Sequence, residues 1–319
     1  MRWSAVDIPS PHDLIIIGGG PAGCAAAVMA ASVGMRSVLV EPRSLCHTLR
    51  RIPALGNVLG FTAGPALADA ITADVHRSGL CEVLLSEHAE YLDADENQAT
   101  VGLASGRRLT APFAIVATGV RPAHLSETPW ISHHSSSHLT TPPLWEADPS
   151  ALKNRTVLVL GADRPLGTLL RAHPDLPTRL LVLHPAADDY KAEEARHDSR
   201  VELIRINHIA LEEQQDGTLA ATGTTNDGRT GRWPADAAFL NVGSIPATLR
   251  GLLATDASGY CPPDRQHPRV LTVGDLRSSR GQRIMIATGS GSEAALHAYY
   301  TTRLDQQRPG TPAQSFEAA

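Results

Sequence analysis

The chain has 319 residues, 42% of them hydrophobic, and a formal net charge of −5. At roughly 100–200 residues per domain, this length suggests two soluble domains. The acidic balance argues against nucleic acid or an anionic membrane as partner, and no run of about 18 apolar residues marks a membrane span. The opening residues carry no positive-then-apolar leader pattern, so a cytoplasmic protein is expected. Lysine occurs only at Lys153 and Lys191, so arginine carries nearly all the basic charge. With the many alanines, this bias points to a high-GC bacterial genome.

Asp13–Ile17 is a short apolar run ending in Gly18-Gly19-Gly20-Pro21-Ala22-Gly23. An alanine-rich segment of helical character, Cys24–Val33, follows, and then a second buried strand, Ser37–Val40, ending at Glu41. Strand, glycine turn, helix and strand in this order make a dinucleotide site. Gly18 permits the tight turn, Gly20 lets the backbone approach a pyrophosphate, and Gly23 lets the helix pack on the strand. The helix N-terminus offers free N–H groups and a partial positive charge to the phosphates. Glu41, 21 residues after Gly20, is placed to accept hydrogen bonds from an adenosine ribose.

The four cysteines, Cys24, Cys46, Cys81 and Cys261, form no CxxC or CxxxxC pair. A thiolate zinc site and a short-range disulfide are unsupported, and each cysteine is expected to be a small core residue. No metal site is expected.

Ala114–Gly119 reads AIVATG and Val270–Asp275 reads VLTVGD, two apolar strands that each end in a small-residue turn. Both resemble signatures of the two-dinucleotide-binding flavoproteins. Over nearly its whole length the chain resembles the low-molecular-weight thioredoxin reductase branch of that family. The resemblance implies FAD as cofactor and two Rossmann-like domains of three-layer ββα form, the second inserted in the first. It implies that Ala117, Thr118 and Gly119 pass near the cofactor, and that Asp275, after Gly274, bonds the ribityl chain. Asn57-Val58-Leu59-Gly60 resembles the stretch beside the isoalloxazine, and Val242–Pro246 the return from the inserted domain. The spacing from Asp275 through Arg283 to Gly289-Ser290-Gly291 and Ala294-Ala295-Leu296 resembles the flavin-facing C-terminal helix. There Arg283 and Ile284 would direct N–H groups at flavin N1 and O2 and stabilise anionic reduced flavin. The implied domains are 1–120 plus 246–319 for FAD and 121–245 for the insert, and a homodimer fits the family.

The departures from that family are informative. Its disulfide reductases carry a CxxC where this chain reads His133-His134-Ser135-Ser136-Ser137-His138. Seryl oxygens cannot form a disulfide, so a dithiol relay is excluded unless distant cysteines substitute. The second nucleotide motif follows the strand Val157–Leu160 as Gly161-Ala162-Asp163-Arg164-Pro165-Leu166-Gly167, with Asp163 at the second glycine position and Gly167 one place late. A carboxylate about 4 Å from a pyrophosphate charge costs roughly 4 kcal/mol at an effective dielectric of about 20. After the next strand, Arg179–Leu183, the family's arginine pair for a 2′-phosphate is replaced by His184-Pro185-Ala186-Ala187; Arg164 and Arg171 lie in the wrong segment. Tight NADPH binding in the usual mode is therefore not expected. The flavin dithiol oxidases of sulfur-containing natural-product pathways also resemble the chain, and His138 matches the histidine after their CxxC.

The polar loop Ser132–His138 supplies the catalytic candidates His134, Ser137 and His138. If the insert packs as in the resembling family, this loop approaches the flavin, and a histidine there would take a substrate proton as hydride leaves; the alternative is a solvated polar linker. His124, His173, His184 and His208 are expected on the surface. Three functions fit: an FAD-dependent oxidase of a small organic substrate with oxygen as acceptor; a nicotinamide- or ferredoxin-linked flavin reductase; and a flavin-binding regulatory protein without turnover.

Overall fold

Short apolar strands form the spine, because residues buried on both faces of a parallel sheet read as unbroken hydrophobic runs. The computed structural model describes residues 12–133, 141–213 and 218–306. In chain order the first elements are β1 (Leu14–Ile17), α1 (Pro21–Ser32), β2 (Ser37–Glu41), α2 (Gly64–Arg77), β3 (Cys81–Leu85), β4 (Ala89–Ala94), β5 (Ala99–Leu103), β6 (Arg108–Ala111) and β7 (Phe113–Val116). Then come β8 (Val120–Pro122), β9 (Ile131–His133), β10 (Thr156–Leu160), α3 (Pro165–Ala172), β11 (Arg179–His184), α4 (Asp189–Ala192), β12 (Val201–Glu213), β13 (Leu219–Thr225), β14 (Thr230–Ala235) and β15 (Ala237–Leu240). The chain closes with β16 (Ser244–Pro246), β17 (Arg250–Gly251), β18 (Val270–Thr272) and α5 (Ile284–Gln306).

The chain falls into two units. The first comprises Met1–Arg50, Leu55–Val120 and Pro246–Ala319; the second comprises Arg51–Ala54 and Arg121–Ile245. Both are mixed α/β with a parallel, Rossmann-like sheet.

The first unit has a five-stranded parallel sheet in the order β18-β7-β1-β2-β3 and a four-stranded sheet in the order β17-β4-β5-β6. The pleat divides the labour. Ile15, Ile17, Val38 and Val40 pack with Leu92, Val101 and Leu103 of the second sheet, whereas Ile16 lies under Gly23 at the start of α1. A Cβ on Gly291 would stand 2.0 Å from the Ala22 carbonyl oxygen, so α1 and α5 meet backbone to backbone.

The second unit has one sheet in the order β14-β13-β12-β11-β10-β15, with β9 beside β12. β12 pairs parallel with β11 over Val201–Arg205, then antiparallel with β13 from Ile206, with an irregularity between Ile206 and His208. Arg51 joins this unit through Glu146 at 2.9 Å and by stacking 4.8 Å from the Trp145 ring centroid.

Two sequence expectations need correction. His184 is 3% exposed, because it ends the buried strand β11 rather than starting a surface loop. The segment expected to be a loop from Ser132 begins instead as strand, since Ser132 and His133 continue β9 against β12.

Candidate functional site

Parallel strands end together, so their turns share one rim. In register, Ile17 stands beside Val40 and Val116, and Val116 beside Thr272. The next residues, Gly18, Glu41, Ala117 and Val273-Gly274, therefore line the carboxyl edge of the first unit's sheet, where α/β folds bind their ligands.

At this edge the glycine turn is forced by contact. Gly18 has φ +104°, and a Cβ there would meet the Ala117 oxygen at 2.5 Å. A Cβ on Gly23 would meet the Gly18 oxygen at 1.9 Å. Gly20 differs: it is the N-cap of α1, and a Cβ there would project into open space. Pro21 takes the first helical position, where its missing N–H costs nothing, and Ala22 is buried behind it. The Glu41 Oε2 accepts the Gly19 N–H at 2.7 Å, and its Oε1 accepts the Arg43 N–H at 2.9 Å. A carboxylate has about four lone-pair sites, so acceptor capacity remains for ribose hydroxyls.

Two further turns stand on this rim. The Thr118 hydroxyl donates to the Ala247 carbonyl at 2.6 Å, and Gly119, at φ +64°, has open space where a Cβ would be. Gly274, at φ +65°, donates its N–H to the Ser290 hydroxyl of α5 at 2.9 Å and begins a 3-10 turn that includes Asp275. Ile284 starts α5, and the exposed Arg283 side chain donates to the Gln282 carbonyl at 2.8 Å. Asn57 is exposed in a bend of the same unit. A helix N-terminus, a side-chain-free cradle at Gly20 and a carboxylate at the β2 end suit a dinucleotide pyrophosphate and ribose.

The sequence did not reveal that Cys24 and Cys46 meet here. The Cys24 thiol donates to the Gly19 carbonyl at 3.3 Å, and the Cys46 N–H donates to the same oxygen at 2.8 Å. The catalytic candidates His134, Ser137 and His138 lie outside the described residues.

The second unit carries the altered nucleotide turn. Gly161 keeps a positive φ of 101°, and a Cβ there would meet the Asn241 carbonyl oxygen at 2.4 Å. Asn241 also clamps the turn through Nδ2, which donates to the Asp163 carbonyl at 2.9 Å and the Gly161 carbonyl at 3.3 Å. Among the described residues, its buried Oδ1 has no hydrogen-bond partner. Asn241 was missed because it reads as one polar residue after an apolar strand. Displaced Gly167 serves packing instead, since a Cβ there would strike the Glu194 carboxylate, the partner of Arg171.

Asp163 is not a bare charge, contrary to the sequence argument. Lys191 Nζ lies 3.8 Å from its Oδ1 and 3.0 Å from Asp188 Oδ1. Burial pulls the Lys191 ammonium down, but the adjacent carboxylates outweigh it and hold the group above the ordinary lysine range. Asp163, Asn241, Gly243 and Trp145 line a small cavity of about 30 Å³. A separate cavity of about 440 Å³ is bounded by His184, Asp189, Arg196, Leu203 and Arg205. Among the described residues no helix is long and apolar enough to cross a membrane, and no group of side chains is arranged to hold a metal ion.

A family model described as pyridine nucleotide-disulphide oxidoreductase matches residues 12–162. The chain is 26% identical over 307 residues to a thioredoxin reductase of Listeria innocua, covering 90% of this chain and 92% of that protein. In fold it matches the crystal structure of Lactococcus lactis thioredoxin reductase in its FR conformation, with a TM-score of 0.75 at 18% identity, over 92% of this chain and 99% of that one. The T. acidophilum thioredoxin reductase gives a TM-score of 0.74 at 20% identity, with coverage of 92% and 99%.

Proposed function

We propose that the chain, which is similar to the thioredoxin reductase-like pyridine nucleotide-disulphide oxidoreductases, is an FAD-dependent oxidase of a small organic substrate, working without a dithiol relay. The observation that carries the reading is the Gly18–Gly23 turn, with its open cradle at Gly20 and Glu41 bonded to the Gly19 N–H. FAD, when bound, would supply two-electron redox chemistry, with oxygen as the acceptor.

The chain's own residues do the rest. The N–H groups at the start of α1 hold the pyrophosphate, and Glu41 takes the ribose hydroxyls. Gly274 and Asp275 hold the ribityl end, with the Gly274 N–H fixed by Ser290. Ala117, Thr118 and Gly119 line the approach, and Asn57 borders the ring. The N-terminus of α5 at Arg283 and Ile284 places positive field on the ring's polar edge. His134 or His138, with Ser137 beside them in sequence, takes the substrate proton. The domains follow as 1–120 plus 246–319 for the cofactor and 121–245 for a nucleotide-type insert that no longer binds NADPH. The protein acts as a homodimer in the cytoplasm.

The reading of no NADPH is supported by Asp163 and its pairing with Lys191. A nicotinamide-linked reductase is the second reading, favoured by the cavity between Arg196 and Arg205, which brings cations where the arginine pair after β11 is missing. Anaerobic mixing with NADPH separates the two. Under the oxidase reading the flavin absorbance stays oxidised, and air-linked turnover appears with an organic donor. Rapid bleaching by NADPH selects the reductase. Thioredoxin and small disulfides are expected to be inert as acceptors.

A further inference from the structure

Cys24 and Cys46 are 22 residues apart, yet they bond one carbonyl, that of Gly19. The Cys24 side chain and the Cys46 backbone thus meet at one buried oxygen. Both are free and buried. Cys46 holds a φ of +55°, an uncommon conformation for a side-chain-bearing residue and one that clusters at functional sites.

The two sulphurs differ in acidity. The neighbouring Cys24 side chain holds the Cys46 thiol below its ordinary value against the opposing effect of burial, and Arg50 adds to the lowering. The neighbouring Cys46, together with burial, pushes Cys24 far up. Of the two, Cys46 is thus the more acidic sulphur. The other two cysteines lack this division: burial raises Cys81, and burial with Asp256 pushes Cys261 up to about 11.

We propose that Cys24 and Cys46 form a reversible dithiol–disulfide switch on the dinucleotide turn, closed by hydrogen peroxide and opened by a small thiol. The Cys46 thiolate attacks one peroxide oxygen and the O–O bond breaks. Cys46 becomes a sulfenic acid, and the released hydroxide takes up the proton that its thiol gave on ionising. Cys24 then attacks the Cys46 sulphur, the S–O bond breaks, and water leaves with the Cys24 proton. Two thiols and one peroxide give one disulfide and two waters, with two electrons passing from sulphur to oxygen. Two external thiols return the electrons by exchange.

The disulfide ties α1 to the loop that covers Gly19, where a Cβ would meet Leu45 Cδ2 at 2.6 Å. The Cys46 N–H still serves the Gly19 oxygen, so the turn is fixed in the form that presents Gly19 to Glu41. Closing the switch therefore slows dinucleotide release. That consequence rests on the proposed cofactor site, whereas the disulfide itself does not.

The test uses purified full-length protein treated with hydrogen peroxide, alkylated in denaturant and mapped by mass spectrometry. The expected map loses two of the four free thiols, in a single Cys24–Cys46 link that dithiothreitol reverses. Full alkylation of both residues, or over-oxidation of Cys46 without the link, overturns the proposal. In Cys24→Ser, Cys46 should stop at a sulfenic acid that dimedone traps; if that variant does not fold, the wild-type map still decides. Flavin fluorescence then compares release from oxidised and reduced protein. Several-fold slower release after oxidation supports the switch, and equal rates overturn it. A preparation without flavin would sink the cofactor reading while the thiol map still reports.

Discussion

The Glu41 carboxylate reaches back 22 residues to accept the buried Gly19 N–H at 2.7 Å. One side chain thus completes a turn it does not belong to and faces the place where a ribose would lie. Glu41→Ala leaves that N–H unsatisfied, at a cost of about 1–3 kcal/mol in stability. Gly20→Val fills open space at the N-cap, so its stability cost is small and its effect falls on the cofactor. The flavin-to-protein absorbance ratio after purification should be lowest for Gly20→Val, intermediate for Glu41→Ala and highest for wild type. Full occupancy in Gly20→Val would remove the pyrophosphate from this turn.

Gly291 holds α5 against α1 at a distance that tolerates no side chain. A Cβ there would stand 2.0 Å from the Ala22 oxygen. Gly291→Ala is expected to destabilise the first unit by about 1–3 kcal/mol, the usual range for overpacking. Urea unfolding checks this. A variant as stable as wild type would mean that the two helices separate freely.

The sequence made the first unit's spine legible because strands buried on both faces read as apolar runs, and the turns between them need glycine. Gly18, Gly23 and Gly274 could be read this way, since each holds a conformation or contact that excludes a Cβ. The antiparallel strands β4–β6 were not legible. Their half-exposed faces mix residues such as Glu90 and Asp93 with the core residues Leu92 and Val101, which dilutes the period-2 signal. Contacts that depend on three-dimensional return were also hidden. Lys191 reaching Asp163, Asn241 clamping Gly161, and Cys24 meeting Cys46 each join segments with no shared local pattern. His184 misled for a related reason: a polar residue at a strand end reads as surface, while packing buried it.

Arg121 and Glu127 at the entry to the second unit form a forked pair at 2.7 and 2.8 Å, and Glu127 also accepts the His124 N–H at 2.9 Å. The Arg121 guanidinium and that N–H hold the Glu127 carboxyl down at about 2. An unfolded glutamate titrates near about 4.3. The stabilisation is therefore fully present above that unfolded value and is lost as pH falls through about 2. The pair is solvent-exposed, so its worth is no more than about 1 kcal/mol. Glu127→Gln should lower the melting temperature slightly at neutral pH, and the gap from wild type should close as pH falls through that window. A gap independent of pH would mean that Glu127 acts through packing rather than charge.

Lys191 reaches the altered nucleotide turn and is already engaged by Asp163 at 3.8 Å and Asp188 at 3.0 Å. A phosphate approaching this turn meets a neutralised pair rather than a free ammonium, and Asp163 stands where backbone alone should be. Losing a charge-assisted contact and close approach together is worth about 4 kcal/mol, which is a thousandfold in affinity. Titration of wild type with NADPH or NADH should therefore give no saturable binding below roughly millimolar levels. Asp163→Gly removes the obstruction and frees Lys191 from one of its two carboxylates, so binding should tighten. Adding Lys191→Ala to that variant should abolish the gain, because the freed ammonium is the group that meets the phosphate. A gain that survives in the double variant would assign the block to shape alone. Micromolar NADPH binding to wild type would overturn the argument and favour the reductase, with Arg196 and Arg205 as the first residues to test.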